Sequence, residues 1–122
     1  MFSAKFSTII NRAPSSAQAL DLVAKYLDSA AEQKRLHKLR LDPMLIQQIS
    51  KVSTSSELAV LISLLTSAHI LRRVVVVESP AGGGIAEFAS AAAVPDSLHD
   101  YHRDVLMDVT PRDLRTVYVA ES

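Results

Sequence analysis

A chain of 122 residues holds about one domain, and with 48% hydrophobic and 21% charged residues it has the composition of a globular protein. That composition excludes an intrinsically disordered chain, which combines low hydrophobicity with a large net charge. Thirteen Lys/Arg balance thirteen Asp/Glu and cysteine is absent, which excludes disulfides, thiolate metal sites and the basic balance usual in nonspecific nucleic-acid binders.

Residues 1–14 read as an N-terminal arm. Phe2, Phe6, Ile9 and Ile10 suit one face of a helical turn, a short strand or a partly ordered tail. Pro14-Ser15 then signals a helix start, and Ser15 with Gln18 fits a capping box. Ala19, Leu20, Val23, Leu27, Ala30 and Ala31 recur at helical spacing, which predicts a helix over 16–36 with Leu20, Val23 and Leu27 buried. Lys34, Arg35, His37, Lys38 and Arg40 follow as the most basic stretch. They read as a solvated helix end, where cations favour the dipole, or as a patch for phosphate or an acidic partner.

Asp42-Pro43 starts a second helix, with Asp as N-cap and Pro at the first helical position. Met44, Leu45, Ile46 and Ile49 give it one apolar side. Val52-Ser53 is a turn, and Thr54 with Glu57 forms another capping box. Leu58, Leu61, Ile62 and Leu65 supply the core stripe of the next helix, expected over 57–71. Two helices joined by so short a link fit a helix-turn-helix. A DNA reader of this kind presents polar or basic side chains near the start of its second helix. Here the outward positions are Ser55, Ser56, Ala59, Ser63 and Thr66, with Glu57. None is cationic, which favours a docking surface over a DNA-reading one.

Arg72-Arg73 leads into Val74–Val77, a β-branched run expected as a strand. Ile85–Phe88 is expected to pair with it across Pro80-Ala81-Gly82-Gly83-Gly84. The glycines are followed neither by Lys-Ser/Thr nor by a helix, so they do not read as a phosphate loop. Ala89–Ala93 suits a helical turn. Asp100, Asp104 and Asp108 read as an acidic surface patch with His99 and His102. Val105–Val109 is expected as a strand, Thr110 to Asp113 as a capped turn, and Thr116–Ala120 as a final strand.

The order helix, helix-turn-helix, strand pair predicts an α+β protein, a winged helix-turn-helix with a small C-terminal antiparallel β extension. The expected division is arm 1–14, winged-helix core 15–90 and β extension 91–122 packed on the wing. The apolar run from Leu58 to Leu71 is short of the ~20 residues that span a bilayer, and residues 1–13 lack a signal-peptide core, so the expected location is the cytoplasm. Charge is segregated along the chain: residues 1–52 carry eight Lys/Arg and four Asp/Glu, and residues 53–122 carry five and nine.

Three phrases invite comparison with known families: Ser79-Pro80-Ala81-Gly82-Gly83, His99-Asp100-Tyr101-His102, and Val109-Thr110-Pro111-Arg112-Asp113-Leu114 before Val117-Tyr118-Val119. With them, the stretch from Asp42 to Val119 resembles small bacterial modules in which the wing of a winged helix runs into a zinc-ribbon-like extension. Those modules carry C-P-x-C-G, a second C-x-x-C, and a V-T-P-x-D-L phrase before the last strand. All four cysteine positions hold other residues here, so a four-ligand zinc is not expected; His99 and His102 read as surface histidines, with a metal bound by the pair as the alternative. The resemblance implies an adaptor beside an ATPase, nuclease or other effector in a multi-component system such as antiphage defence.

No nucleophile elbow, cysteine nucleophile or complete ligand set is present, so no catalytic, cofactor or metal residue is assigned and no enzyme activity is expected. The function expected is a non-catalytic adaptor that binds a larger protein and is capable of forming a homodimer. The alternative is a DNA-binding regulator that contacts phosphate through Lys34, Arg35, Lys38, Arg40, Arg72 and Arg73.

Overall fold

The computed structural model describes residues 3–121. It is α+β, with four α-helices and two small antiparallel sheets. The helices are α1 (Ser3–Arg12), α2 (Ala17–Glu32), α3 (Pro43–Ser50) and α4 (Ser55–Ser67). The strands are β1 (Leu71–Glu78), β2 (Gly84–Phe88), β3 (Ser97–Asp100), β4 (Val105–Asp108) and β5 (Leu114–Ala120). One sheet has the order β2-β1-β5, and β3 and β4 form the other.

The chain divides into two compact units. Unit one comprises the residues up to Arg72 together with those from Tyr118 on, and unit two runs from Arg73 to Val117. This division differs from the boundaries at 14 and 90 read from the sequence. Unit two is an insertion within unit one, and both β1 and β5 run across the division.

Unit one is built on the expected apolar stripes. Leu20, Val23, Leu27 and Ala30 of α2 are buried, as are Ile46 of α3 and Leu61 and Leu65 of α4. Leu58 and Ile62 pack at the margin of the same core. The N-terminal stretch, for which helix, strand and tail were open, is a helix over its described residues. Its Phe6 and Ile9 are only 3% and 5% exposed, so this segment is part of the core.

The helix ends follow local chemistry, with departures from expectation at the start and end of α2, at the end of α4, and at Thr54, whose backbone N–H is not taken by Glu57. Asp42 Oδ1 accepts the Leu45 N–H at 2.8 Å, and Thr54 Oγ1 accepts the Glu57 N–H at 3.1 Å, so both starts are capped. Ser15 and Gln18 do not form a capping box. A 3-10 turn over Pro14–Ser16 precedes α2, and Ser16 takes the N-cap position without a side-chain bond. The helix expected to reach residue 36 stops at Glu32, because Lys34 takes a left-handed backbone (φ 57°). The Arg35 N–H then bonds the Ala30 carbonyl and the Lys34 N–H bonds that of Ala31, satisfying carbonyls the helix end would leave open. His69 (φ 58°) closes α4 in the same way, with Ile70 N–H on Leu65 O and His69 N–H on Thr66 O, so the helix expected to reach residue 71 stops at Ser67 and Leu71 begins β1. Between α3 and α4 the chain bends by 98°, with Lys51 left-handed at the end of α3.

Unit one is closed by the returning chain. Leu41 and Tyr118 form an antiparallel bridge in which each N–H donates to the other's carbonyl, at 2.9 and 2.7 Å. The Glu121 N–H also bonds Ile70 O at 2.9 Å. In unit two, β1 pairs with β2 as expected. The register shifts between Val77 and Glu78, leaving Ile85 as the extra residue of a bulge. All four valines 74–77 are buried, although alternate residues of a strand face opposite sides. Gly84 is required here, since a Cβ would lie 2.9 Å from Val76 Cγ1.

Among the described residues no single helix is long and apolar enough to cross a membrane. The apolar pair α3 and α4 is broken by its sharp bend, and the Ile46, Leu61 and Leu65 face lies in the core.

These packing assignments predict a contrast along α4. Leu65→Ala, at a fully buried site, should cost about 3 kcal/mol in urea denaturation, whereas Val60→Ala, at a site 53% exposed, should stay within about 0.5 kcal/mol. Equal effects would mean that the helix is rotated about its axis.

Candidate functional site

Two features of the described residues are organised enough to be functional surfaces: a buried polar centre in unit two and the outer side of α4 in unit one.

The polar centre joins two turns. The first follows β1. Ser79 N–H bonds Gly83 O and Gly82 N–H bonds Ser79 O, both at 2.9 Å. Gly82 (φ 101°) and Gly83 (φ 88°) supply the left-handed backbone this turn needs. The second turn, residues 101–104, connects β3 to β4, and Asp104 closes it at φ 53°. Asp100, at the end of β3, is fully buried between them. Its Oδ2 accepts the Ser79 hydroxyl and the Arg103 Nε–H, each at 2.6 Å. Its Oδ1 accepts the backbone N–H groups of His102 and Arg103, at 3.0 and 3.4 Å. Ser79 Oγ in turn accepts the Ala81 N–H at 3.1 Å. Tyr101 adds a further tie, donating its hydroxyl to Gly84 O at 3.0 Å.

Burial pushes the Asp100 carboxyl up. The hydrogen bonds from Ser79, Arg103 and the two backbone amides outweigh it, and the pKa falls from 3.8 to about 2. The chemistry follows from that direction. A carboxylate held so acidic is a poor general base at neutral pH, and Ser79, itself 5% exposed, is not presented as a nucleophile. The centre is suited to holding two turns together by a charge whose four donors replace its lost hydration.

This centre was only partly visible in the sequence. Asp100 was expected in an exposed patch with Asp104 and Asp108, but it is the most deeply buried charge of the described chain. The comparison of phrases placed His99 and His102 opposite the first turn. The residue that bonds Ser79 is Asp100, one place beyond His99, and Arg103, one place beyond His102, bonds Asp100 in turn. His99 Nε2 instead pairs with Asp104 Oδ1 at 3.0 Å on the surface, whereas the His102 ring, 4.5 Å from that of Tyr101 between centroids, does lie beside Gly83 of the first turn. Among the described residues no three His, Asp or Glu side chains form a group able to hold a metal.

In unit one, the thirteen residues of α4 include no Lys or Arg. Ser55, Ser56, Glu57, Ala59, Val60 and Ser63 are exposed, and Thr66 is half-buried. A groove of about 530 Å³ runs beside the first half of α4, with Ala19, Leu22, Val52 and Val60 as its apolar lining and Ser15, Ser56, Lys51 and Glu57 among its polar residues. Its single cation and single anion leave it neutral.

The expected phosphate contacts are placed as follows. Lys34, Arg35 and Lys38 are exposed on the turn that follows α2. Arg35 donates to Gln33 Oε1, and Arg40 donates to the carbonyls of His37 and Leu39 at 3.1 and 3.0 Å. Arg72 and Arg73 are exposed at the start of β1, where neighbouring residues point to opposite faces. Arg72 belongs to unit one and Arg73 to unit two.

No family model, curated protein or solved structure matches the chain.

The buried centre makes a pH prediction. Because folding lowers the Asp100 pKa, its contribution to stability is fully present above about pH 4 and disappears as pH falls from 3.8 toward 2. Asp100→Asn, melted beside the wild type, should lower Tm by several degrees at pH 7, and the difference should shrink through that acid window. A constant difference down to pH 2 would contradict the assigned hydrogen bonding.

Proposed function

We propose that unit one is a winged helix and that the protein is a non-catalytic adaptor, docking on a larger protein through α4 and the neutral groove beside it. Several features support the winged-helix reading. α3 and α4 are joined by a short link at 98°, near the roughly 90–120° of helix-turn-helix pairs. Leu41, between α2 and α3, pairs with β5, which lies beside β1. A three-element edge of Leu41, β5 and β1 after three helices is the arrangement expected of such a fold. This reading moves the wing from the β1–β2 pair expected from the sequence to β1 and β5, with unit two as an elaboration of it.

The observation that carries the docking reading is the absence of any cation on α4. A helix that enters a DNA groove meets dense negative charge, and most of its affinity comes from neutralising phosphate. Here the exposed side offers hydroxyls, Val60 and the carboxylate of Glu57, which suit a polypeptide surface. The resemblance to modules that accompany an ATPase or nuclease agrees with this role.

A second reading, a DNA-binding regulator, is favoured by a separate observation. Unit one carries nine Lys/Arg and six Asp/Glu, and several of its cations are exposed, including Lys34, Arg35, Lys38, Arg40 and Arg72.

Duplex DNA titrated by fluorescence anisotropy at several salt concentrations separates the two. The adaptor reading predicts no binding tighter than about 10⁻⁴ M at physiological salt, the weak limit of nonspecific binding. Micromolar binding that weakens steeply with salt and is lost in the Arg72→Ala/Arg73→Ala double variant would establish the regulator instead.

A further inference from the structure

Two exposed surfaces of this chain are complementary in charge. The first is the turn after α2. Its backbone is fixed by the left-handed Lys34, by Leu36 packed at the margin of the core and by Leu39, which is 8% exposed. From this anchored turn Lys34, Arg35 and Lys38 project into solvent, and among the described residues none of the three has a carboxylate partner.

The second surface is the β3–β4 hairpin. Leu106 and Asp108 alternate with the buried Met107, so they share its solvent face, and Leu106 is 73% exposed. Tyr101 and Val105 are also exposed, at 59% and 45%. Exposed carboxylates border these apolar side chains: Asp104 in the connecting turn, whose partner is the surface His99, and Asp108 on the strand. A large exposed apolar side chain such as Leu106 beside exposed carboxylates suits a contact surface.

The border decides what can cover the cluster. Two such hairpins face to face would oppose like charges, so the hairpin repels its own kind and selects a cationic partner. The chain itself carries one. Unit one has a surplus of three Lys/Arg and unit two a surplus of three Asp/Glu, so the formal net charge is zero and copies are not held apart by a common charge.

We propose that copies of this chain associate through the β3–β4 hairpin of one against the basic turn of another, with Leu106 at the centre of the contact and Arg35 and Lys38 meeting Asp104 and Asp108. The contact joins unlike surfaces of two copies, the hairpin of one to the turn of the other. It involves neither α4 nor its groove, so it stands or falls separately from the adaptor reading.

Sedimentation velocity on the full chain tests it. At low salt and roughly 100 µM the protein should exceed the monomer mass, returning to monomer as salt screens the contact. Two double variants should each be monomeric: Arg35→Glu/Lys38→Glu, and Asp104→Lys/Asp108→Lys. All four positions are exposed, and lysine already adopts the left-handed conformation of Asp104 at positions 34 and 51. Mixing the two doubles in equal amounts should restore the associated mass, because every contact then joins opposite charges. Leu106→Ser should weaken association at least tenfold, with circular dichroism unchanged, and Val60→Asp should leave it unaltered. A wild-type chain that stays monomeric throughout would overturn the proposal. So would association insensitive to both doubles, or a mixture of the doubles that remains monomeric.

Discussion

Unit one is completed by residues that arrive last. The reciprocal hydrogen bonds between Leu41 and Tyr118 and the bond from Glu121 to Ile70 bring the end of the chain back onto a body made of the first 72 residues. Tyr118, 5% exposed, belongs to the same core as Leu27, Leu61 and Leu65. The helices therefore reach their final packing only when the 45 residues of unit two allow the chain to leave at Arg72 and return at Tyr118. Contacts so distant in sequence bring a loop-closure cost that local helix formation does not.

Unit two meets this requirement with little apolar material: four valines in β1, Met107 and Val117. Its two connecting turns are joined by a charge. Asp100 takes four donors from Ser79, His102 and Arg103, and among the described residues no buried side-chain oxygen or nitrogen is left without a partner. A small unit with few buried side chains gains a defined geometry from such a centre, because each donor has one acceptable position. The same centre ties the turn of the hairpin to the turn after β1.

Much of this architecture was legible in the residues. Asp42-Pro43 and Thr54 marked helix starts that the structure caps with those side chains, although Glu57 takes the Thr54 hydroxyl and not its backbone N–H, and the stripes in α2 and α4 identified buried residues of the core. What was hidden had a physical reason in each case. The end of α2 depends on Lys34 adopting a left-handed backbone, a state more typical of glycine or asparagine, and no local pattern signals it. Asp100 looked like one of three evenly spaced surface carboxylates. Its burial depends on Ser79, twenty-one residues earlier, and on an arginine three residues later. The pairing of β1 with β5 was hidden too, because the two neighbours in the sheet are separated in sequence by β2, β3 and β4. The neutrality of α4 required no such context, since a helix without Lys or Arg is visible in the sequence alone.

The closure of unit one can be read directly by native-state hydrogen exchange of individual amides in NMR spectra. The account predicts that the Leu41 and Tyr118 amides, each donating to the other's carbonyl, are protected to the same extent as core amides such as that of Leu65. Exchange of these two amides at the rate of an open loop, while the α4 core stays protected, would show that the helical body stands without the returning chain and would contradict it.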